Sequence, residues 1–452
     1  MNISLFLILL FCLQLLYWAV GRRAARGLKG EQDYFLAGKN VRLFPLMMTF
    51  LATQVGGGVI LGAADEAYQL GWPVLLYPLG AALGLILLGS GVGRRLAAFQ
   101  VATVAQLFET IYGSAILKRI ASLLSIVSLF MILVAQVIAS HKFFISLGLT
   151  NTPLFILFWA IVIFYTAQGG LQAVISTDVV QGVFFSTIFL LAFGAVILFE
   201  PATALIQTPE WRSLEPVASK LCGWLFMPLC FMVIEQDMAQ RCFAGASPKI
   251  VSRAAFLAGV STMVVCIVPV FLGALAQAIG LEVSTGGSVL MEVIAKTTSP
   301  WISALVGCAV LAAIISTATS LINAISSNLS NDFKVSLFKK IDAVRQMQWI
   351  TSLIAVGALF FAFYFDNIVG LLIQSYELSV SCLFIPVVMV LVRRQGSALS
   401  ASFAVAAGAA GFVLLRLYPI DGPREVVSIG LSLLGYTFGE GWRRALYRHN
   451  PT

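Results

Sequence analysis

Residues 312–328, AAIISTATSLINAISSN, set small and hydroxylated side chains along one stripe of an otherwise apolar segment. At helical spacing Ala313, Ser316 and Thr317 share a face, and Ser316, Thr319 and Ser320 share the face beside it. A hard monovalent cation such as Na⁺ is held by oxygens, not by thiolates or imidazoles. A stripe of hydroxyls and carbonyls is therefore ligand chemistry for such an ion. The same pattern also serves packing, because Ser and Thr in membrane helices bond back to the carbonyl four residues earlier or join one helix to the next. Spacing alone leaves both readings open.

Three further places put polar or helix-breaking residues inside apolar sequence, where they are costly and by default mark function. In ATQVGGGVILGAADEAY (52–68), Gly56, Gly57 and Gly58 interrupt an apolar run. A glycine costs about 1 kcal/mol in a helix interior, so the triplet predicts either local unwinding, with carbonyls free for a cation, or close helix contact. In YTAQGGLQAVISTDVVQG (165–182), Gly169 and Gly170 predict a tight turn between two helices, with Asp178 just inside the second. There Asp178 serves as an N-terminal cap or as an ion ligand. In VIEQDMAQR (233–241), Glu235, Gln236 and Asp237 stand near one end of an apolar segment, and Asp237 and Arg241 have the spacing of a surface ion pair. Glu235 has no such partner. It belongs either to a solute pocket or to a solvated gate.

The elements that must position these residues are membrane helices. The chain of 452 residues is 60% hydrophobic and only 11% charged, with mean hydropathy +0.96, far from the globular norm of about a quarter charged. Thirteen stretches are long enough to cross a bilayer: near 2–20, 43–64, 72–92, 120–147, 153–168, 177–199, 220–240, 254–280, 300–328, 348–365, 368–392, 398–417 and 425–440. Of the 28 basic residues, only Lys142, Arg212, Lys220, Lys296, Arg416 and Arg424 fall on one side of this topology. The positive-inside rule then places the N-terminus outside and the C-terminus in the cytoplasm. The net charge of +8 is this inward excess facing anionic lipid and does not imply nucleic acid. The first segment lacks the basic start of a cleavable signal and is expected to be retained.

Other chemistries find no support. The seven cysteines have no metal-ligand spacing, and His141 and His449 fall on opposite sides of the membrane. Nucleophilic triads, phosphate loops and zinc signatures are absent. The GSGVG run at 89–93 resembles a dinucleotide loop but ends a membrane helix, where close packing is the simpler use. Loops reach about twenty residues at most, too short for a soluble domain. The chain is read as no enzyme and as needing no cofactor.

Four motifs, YFLAGKN (34–40), GGLQAVISTDVVQG (169–182), QRCFAGASPK (240–249) and AAIISTATS (312–320), resemble those of the sodium/solute symporter family in order and spacing. The VGGG element and TDVVQ look most like its choline-carrier branch. The resemblance implies an all-α polytopic fold of about thirteen helices built as two inverted five-helix repeats, the LeuT architecture. On that frame 1–40 is a peripheral helix and loop, 41–199 and 218–394 are the repeats, and 395–452 adds C-terminal helices to one transporter domain.

The family's general sodium site falls on the carbonyls of Ala52, Val55 and Ala313 and the hydroxyls of Ser316 and Thr317. A second sodium, as in the sialic acid branch, falls on Asp178, Ser316, Thr319 and Ser320. Gln54, Gly56, Gly57, Glu235 and Gln236 mark the solute pocket. One departure bears on the substrate: the choline branch has tryptophans where this chain has Gln54 and Glu235, and a third aromatic is missing near Met131–Leu133. Quaternary ammonium recognition depends on such faces, so the expected solute is a small amine, zwitterion or polyol. The expected function is sodium-coupled import of that solute by an integral protein of the plasma or inner membrane. A sensor that binds without transporting, and a proton-coupled or uncoupled carrier, are the other readings.

Overall fold

The computed structural model describes residues 2–26, 30–199, 215–283, 287–334, 342–365, 368–418 and 422–449. Lys29, Arg212, Lys339 and Lys340, which entered the charge count across the membrane, lie outside the described residues. Among the described residues every regular element is helical, and a single bridge joins Val41 to Gly245. Helices satisfy their own backbone groups, which is why apolar chains of this kind form little else.

The long elements are α1 (Ile3–Ala25), α2 (Leu43–Gln54), α3 (Gly58–Leu70), α4 (Trp72–Ala97), α5 (Ala115–Ser146), α6 (Thr152–Phe199), α7 (Glu215–Ile234) and α8 (Gln236–Ala244). They continue with α9 (Pro248–Ala278), α10 (Pro300–Phe333), α11 (Ala343–Phe361), α12 (Ile368–Arg393), α13 (Ala398–Leu417) and α14 (Arg424–His449). Helix α10 is buried along nearly its whole length and packs on α1, α2, α5 and α6. Its Ala, Ser and Thr side chains let four neighbours approach it closely. Helices α1 and α13 instead leave Phe11, Leu15, Val413 and Leu417 exposed, the surface that faces lipid in a spanning protein.

The count of thirteen spans is not established by length and hydropathy. Nine described helices meet both criteria, or up to eleven if each bent pair, α2 with α3 and α7 with α8, forms one span. Two physical causes explain the difference. The segments expected at 153–168 and 177–199 run together as α6 with no loop between them, broken only at Gly170, where φ 54° and ψ −158° depart from the helix. A Cβ at Gly170 would lie 2.8 Å from Tyr34 Cγ, so this kink is both left-handed and crowded. Helix α14 carries Glu425, Glu440, Arg443 and Arg444 and falls short in apolar length. The GSGVG run does pack closely: a Cβ at Gly89 would meet Phe256 N at 2.5 Å.

Two of the four motifs meet at one end of the bundle. Val41 N donates to Ala244 O (3.1 Å) and Ala246 N to Val41 O (3.0 Å), and Gln240 Nε2 donates to Phe35 O (2.6 Å) and Asn323 Oδ1 (3.0 Å). This ties the start of α2, the end of α8 and α10 into one closed base. Above it the bends of α2–α3, 55°, and α7–α8, 43°, interrupt the two helices that frame the site.

Candidate functional site

The break between α2 and α3 follows from three consecutive glycines, each required by a different neighbour. A Cβ at Gly56 would stand 2.6 Å from Thr317 Oγ1 and 2.8 Å from Gln136 Oε1. At Gly57 it would stand 2.5 Å from Ala139 Cβ, and at Gly58 it would strike Leu372. Backbone is thus pressed against α10, α5 and α12 at one level. Gln136 Oε1 accepts from Gly57 N (2.7 Å), supplying a partner at the N-terminus of the second half-helix.

Helix α10 answers the carbonyls that the break releases. Ser316 Oγ donates to Ala52 O (2.7 Å) and lies 2.9 Å from Ala313 O. Thr317 Oγ1 lies 2.9 Å from Thr53 O, 3.2 Å from Ala313 O and 3.4 Å from Ala52 O. Two hydroxyls and three carbonyls therefore converge across the α2–α10 contact, all on buried residues. This is an all-oxygen set of the kind a hard monovalent cation takes. Ala52, Ala313, Ser316 and Thr317 are brought together; Val55 sits at the break with φ −87° and ψ 77°, and its amide donates to Leu51 O. Thr53 joins the group as a carbonyl that the sequence reading missed.

A second cluster lies one turn further along α10. Asp178 is fully buried, and its Oδ2 accepts from Thr49 Oγ1 (2.5 Å) and from Arg241 Nη2 (3.3 Å). Arg241 Nη2 also donates to Ser320 Oγ (2.5 Å), its Nε to Thr49 Oγ1 (2.9 Å) and its Nη1 to Asp237 O (2.9 Å). The positive charge among Asp178 and Ser320, where a second sodium was expected, is thus a guanidinium. Thr319 takes no part, since its hydroxyl bonds back to Ser316 O (3.1 Å). Nor is Asp178 a helix cap: Ser176 and Thr177 bond back to carbonyls of their own helix, and Asp178 reaches across to α2 and α8. The surface pairing expected of Asp237 and Arg241 fails as well, because both side chains are fully buried and Arg241 meets only the Asp237 carbonyl.

On the other side of the break lies a small cavity of about 20 Å³. Its walls include Gln54, Gly56, Glu235, Gln136, Tyr77 and Tyr376, so residues from both bent helices meet there. Gln54 lies within hydrogen-bonding reach of the Glu235 carboxyl. Glu235 is 5% exposed, so its carboxyl is not solvated in this structure. The adjacent Asp237 carboxyl also lies within hydrogen-bonding reach of it, and no protein donor reaches Glu235 Oε2. Gln236 points elsewhere: its Oε1 accepts from Val104 N (2.7 Å) and its Nε2 donates to Ala102 O (3.0 Å), so it clamps the 101–106 segment and does not line the cavity. Gly57 is likewise committed to packing and to Gln136.

Thr49, Gln136, Tyr77 and Tyr376 are residues at the site that sequence reasoning left unassigned, and Arg241 is one that it placed in a surface pair. Thr49 and Thr53 carried a signal, being spaced i, i+4 on the helix that opens the glycine break. Gln136 is a lone amide within the apolar run LFMILVAQVIA.

A family model described as "Sodium:solute symporter family" matches residues 34–394. The chain is 27% identical to the high affinity choline transporter 1 of Homo sapiens, across 74% of this chain and 62% of that protein. It is 25% identical to the sodium/pantothenate symporter of Haemophilus influenzae, across 70% and 69%. The chain therefore spans less than two thirds of the human relative's length. In fold it is similar to the outward-open structure of a Na⁺-coupled sialic acid symporter, with TM-score 0.77 and 19% identity over 96% of this chain and 97% of the other. Mhp1, a nucleobase-cation-symport-1 transporter, is similar with TM-score 0.61 over 90% and 93%. With the matched region running from the YFLAGKN motif to the end of α12, the chain belongs to the sodium:solute symporter family.

Proposed function

We propose that the chain is a sodium-coupled importer of a small polar solute, working by alternating access. The observation that carries this reading is the convergence of the Ser316 and Thr317 hydroxyls on the carbonyls of Ala52, Thr53 and Ala313 at a broken helix. Carriers of this architecture bind ion and solute beside such discontinuities. Val55, at the same break, supplies its carbonyl once the ion is bound. Sodium is the coupling ion and no further cofactor is required.

Coupling takes one sodium per cycle, because Arg241 already supplies the positive charge beside Asp178 and Ser320. One charge crossing about 100 mV is worth roughly 2.3 kcal/mol, and a tenfold sodium gradient adds about 1.4 kcal/mol. Together these support accumulation of a neutral solute by about 500-fold. Gln54, Gly56 and Glu235 bound the solute pocket; Gly57 and Gln236 support it from behind.

The two bent helices, α2–α3 and α7–α8, open the proposed repeats 41–199 and 218–394, with 1–40 and 395–452 as additions to a single transporter domain. We place the N-terminus outside, the C-terminus in the cytoplasm and the chain in the plasma or inner membrane, following the basic residues. On that orientation a cavity of about 350 Å³ bounded by Gly62, Asp65, Gln69, Lys142 and Val369 is an external vestibule, and the Phe35–Gln240–Asn323 base is the closed cytoplasmic side.

The test is uptake by proteoliposomes with and without an inward sodium gradient, against amines, amino acids, polyols, sugars and vitamins. Uptake of at least one solute that collapses when potassium replaces sodium is expected. Uptake indifferent to sodium, or sodium-dependent binding without uptake, would overturn the reading.

A further inference from the structure

We propose that the transported solute carries a protonated primary or secondary amine and no carboxylate, and that Glu235 is its counter-ion; this names the substrate class of the symporter reading and rests on it. Four charged side chains are buried together between the bent helices and α10: Asp178, Glu235, Asp237 and Arg241. Other buried charges have partners of their own, Asp332 with Thr103 and Ser122, and Glu377 with Arg416. Arg241 commits four of its five N–H donors to Thr49, Asp237 O, Asp178 and Ser320, and none of these four bonds goes to Glu235. Three carboxyl groups therefore face one guanidinium, and two of them, Glu235 and Asp237, lie within hydrogen-bonding reach of each other, an acid pair that an entering cation would complete.

That pair lies at the pocket wall. Glu235 lines the cavity and its Oε2 has no partner, whereas Asp237 lies behind it and outside the lining. An unpaired buried carboxylate is costly, so the arriving solute is selected to pair it. The lining residues include no lysine, arginine or histidine, so a carboxylate or phosphate on the solute would find no basic side chain. A neutral polyol would leave Glu235 unpaired. The rings of Tyr77 and Tyr376, the latter backed by Phe231 with centroids 4.6 Å apart, add faces that attract a cation. A quaternary ammonium has no N–H to give Oε2, and no tryptophan lines the cavity to compensate. An ammonium with N–H donors answers both the charge and the orphaned acceptor.

The experiment uses the full chain in proteoliposomes and in detergent, with ethanolamine, dimethylamine, tetramethylammonium, ethylene glycol and glycine as probes, each in sodium and in potassium. Sodium-dependent current on a supported membrane and the shift in melting temperature are read for each probe. Ethanolamine or dimethylamine should act at concentrations about tenfold or more below the other three, in sodium only. Glu235→Gln should abolish that ranking while sodium alone still stabilises the protein, and Glu235→Asp should retain it. The wild-type ranking and Glu235→Asp keep the test open if Glu235→Gln does not fold. Glycine or ethylene glycol acting as well as the amines, silence of both amines, or a ranking that survives in Glu235→Gln would each overturn the proposal while leaving sodium coupling in place. Responses equal in sodium and potassium would instead sink the symporter reading beneath it.

Discussion

Two buried polar regions lie on either side of the α2–α3 break, and they differ in how far their hydrogen bonds are satisfied. Toward α10, the hydroxyls of Ser316, Thr317, Ser320, Thr49 and Thr53 each have a partner, and Asp178 shares its Oδ2 between a threonine and an arginine, leaving only its Oδ1 without one in this group. Toward α4 and α12, Glu235 and Asp237 set two carboxyl groups within hydrogen-bonding reach of each other beside a cavity of about 20 Å³, with Glu235 in its wall and no cation at hand. The low dielectric that strengthens a complete network also makes an incomplete one expensive. The first region is therefore built to stand without a solute, its hydroxyls closing on carbonyls until an ion displaces them. The second remains unfinished until something enters.

The largest effect should come from the one buried ion pair that joins α6, α8 and α10. Arg241→Met leaves Asp178 charged and unpaired, and removing one partner of such a pair costs about 3–5 kcal/mol. Loss of expression or a large fall in melting temperature is expected. Asp178→Leu added to Arg241→Met should recover most of that loss, because replacing both members by apolar groups is close to neutral. A double mutant as unstable as the single would show that Arg241 acts mainly through Thr49 and Ser320.

Next in size is the ion site. Ser316→Ala with Thr317→Ala removes two of about five oxygens and should raise the sodium concentration for half-maximal uptake about tenfold or more, near 1.4 kcal/mol. Sodium activation of the unmodified chain should have a Hill coefficient near one, since Arg241 stands where a second ion would. A coefficient near two would break the comparison by showing that ions enter the Asp178 cluster as well. Unaltered sodium dependence in the double mutant would remove the site.

How much of this was legible depends on the range of the interaction. The hydroxyl stripe of α10 and the glycine triplet are local patterns, and both stand at the site, because a helix face and a helix break are set by residues a few positions apart. The membrane class was equally plain from composition. Arg241 was misjudged because its nearest carboxylate in sequence, Asp237, offers it only a carbonyl, while Asp178, 63 positions away, supplies the charge. Tyr77 and Tyr376 carry no local signal at all; only the packing of α4 against α7 and of α7 against α12 brings them to the pocket. The turn expected at Gly169–Gly170 shrank to a kink because one left-handed glycine was enough.

Gln236 gives the smallest effect and the sharpest control on the pocket. Its neighbour Glu235, the extended residue at the α7–α8 break, faces the cavity, whereas Gln236, the first residue of α8, meets the backbone of 101–106 instead. There it accepts from Val104 and donates to Ala102, two neutral hydrogen bonds each worth about 1 kcal/mol net. Gln236→Ala should therefore lower stability by about 1–2 kcal/mol and leave the ranking of solutes unchanged. The check is a melting curve beside competition assays with the same amine, polyol and zwitterion probes. A change in solute ranking greater than the change seen for Glu235→Gln would move the pocket wall to Gln236 and reverse the assignment of these two adjacent residues.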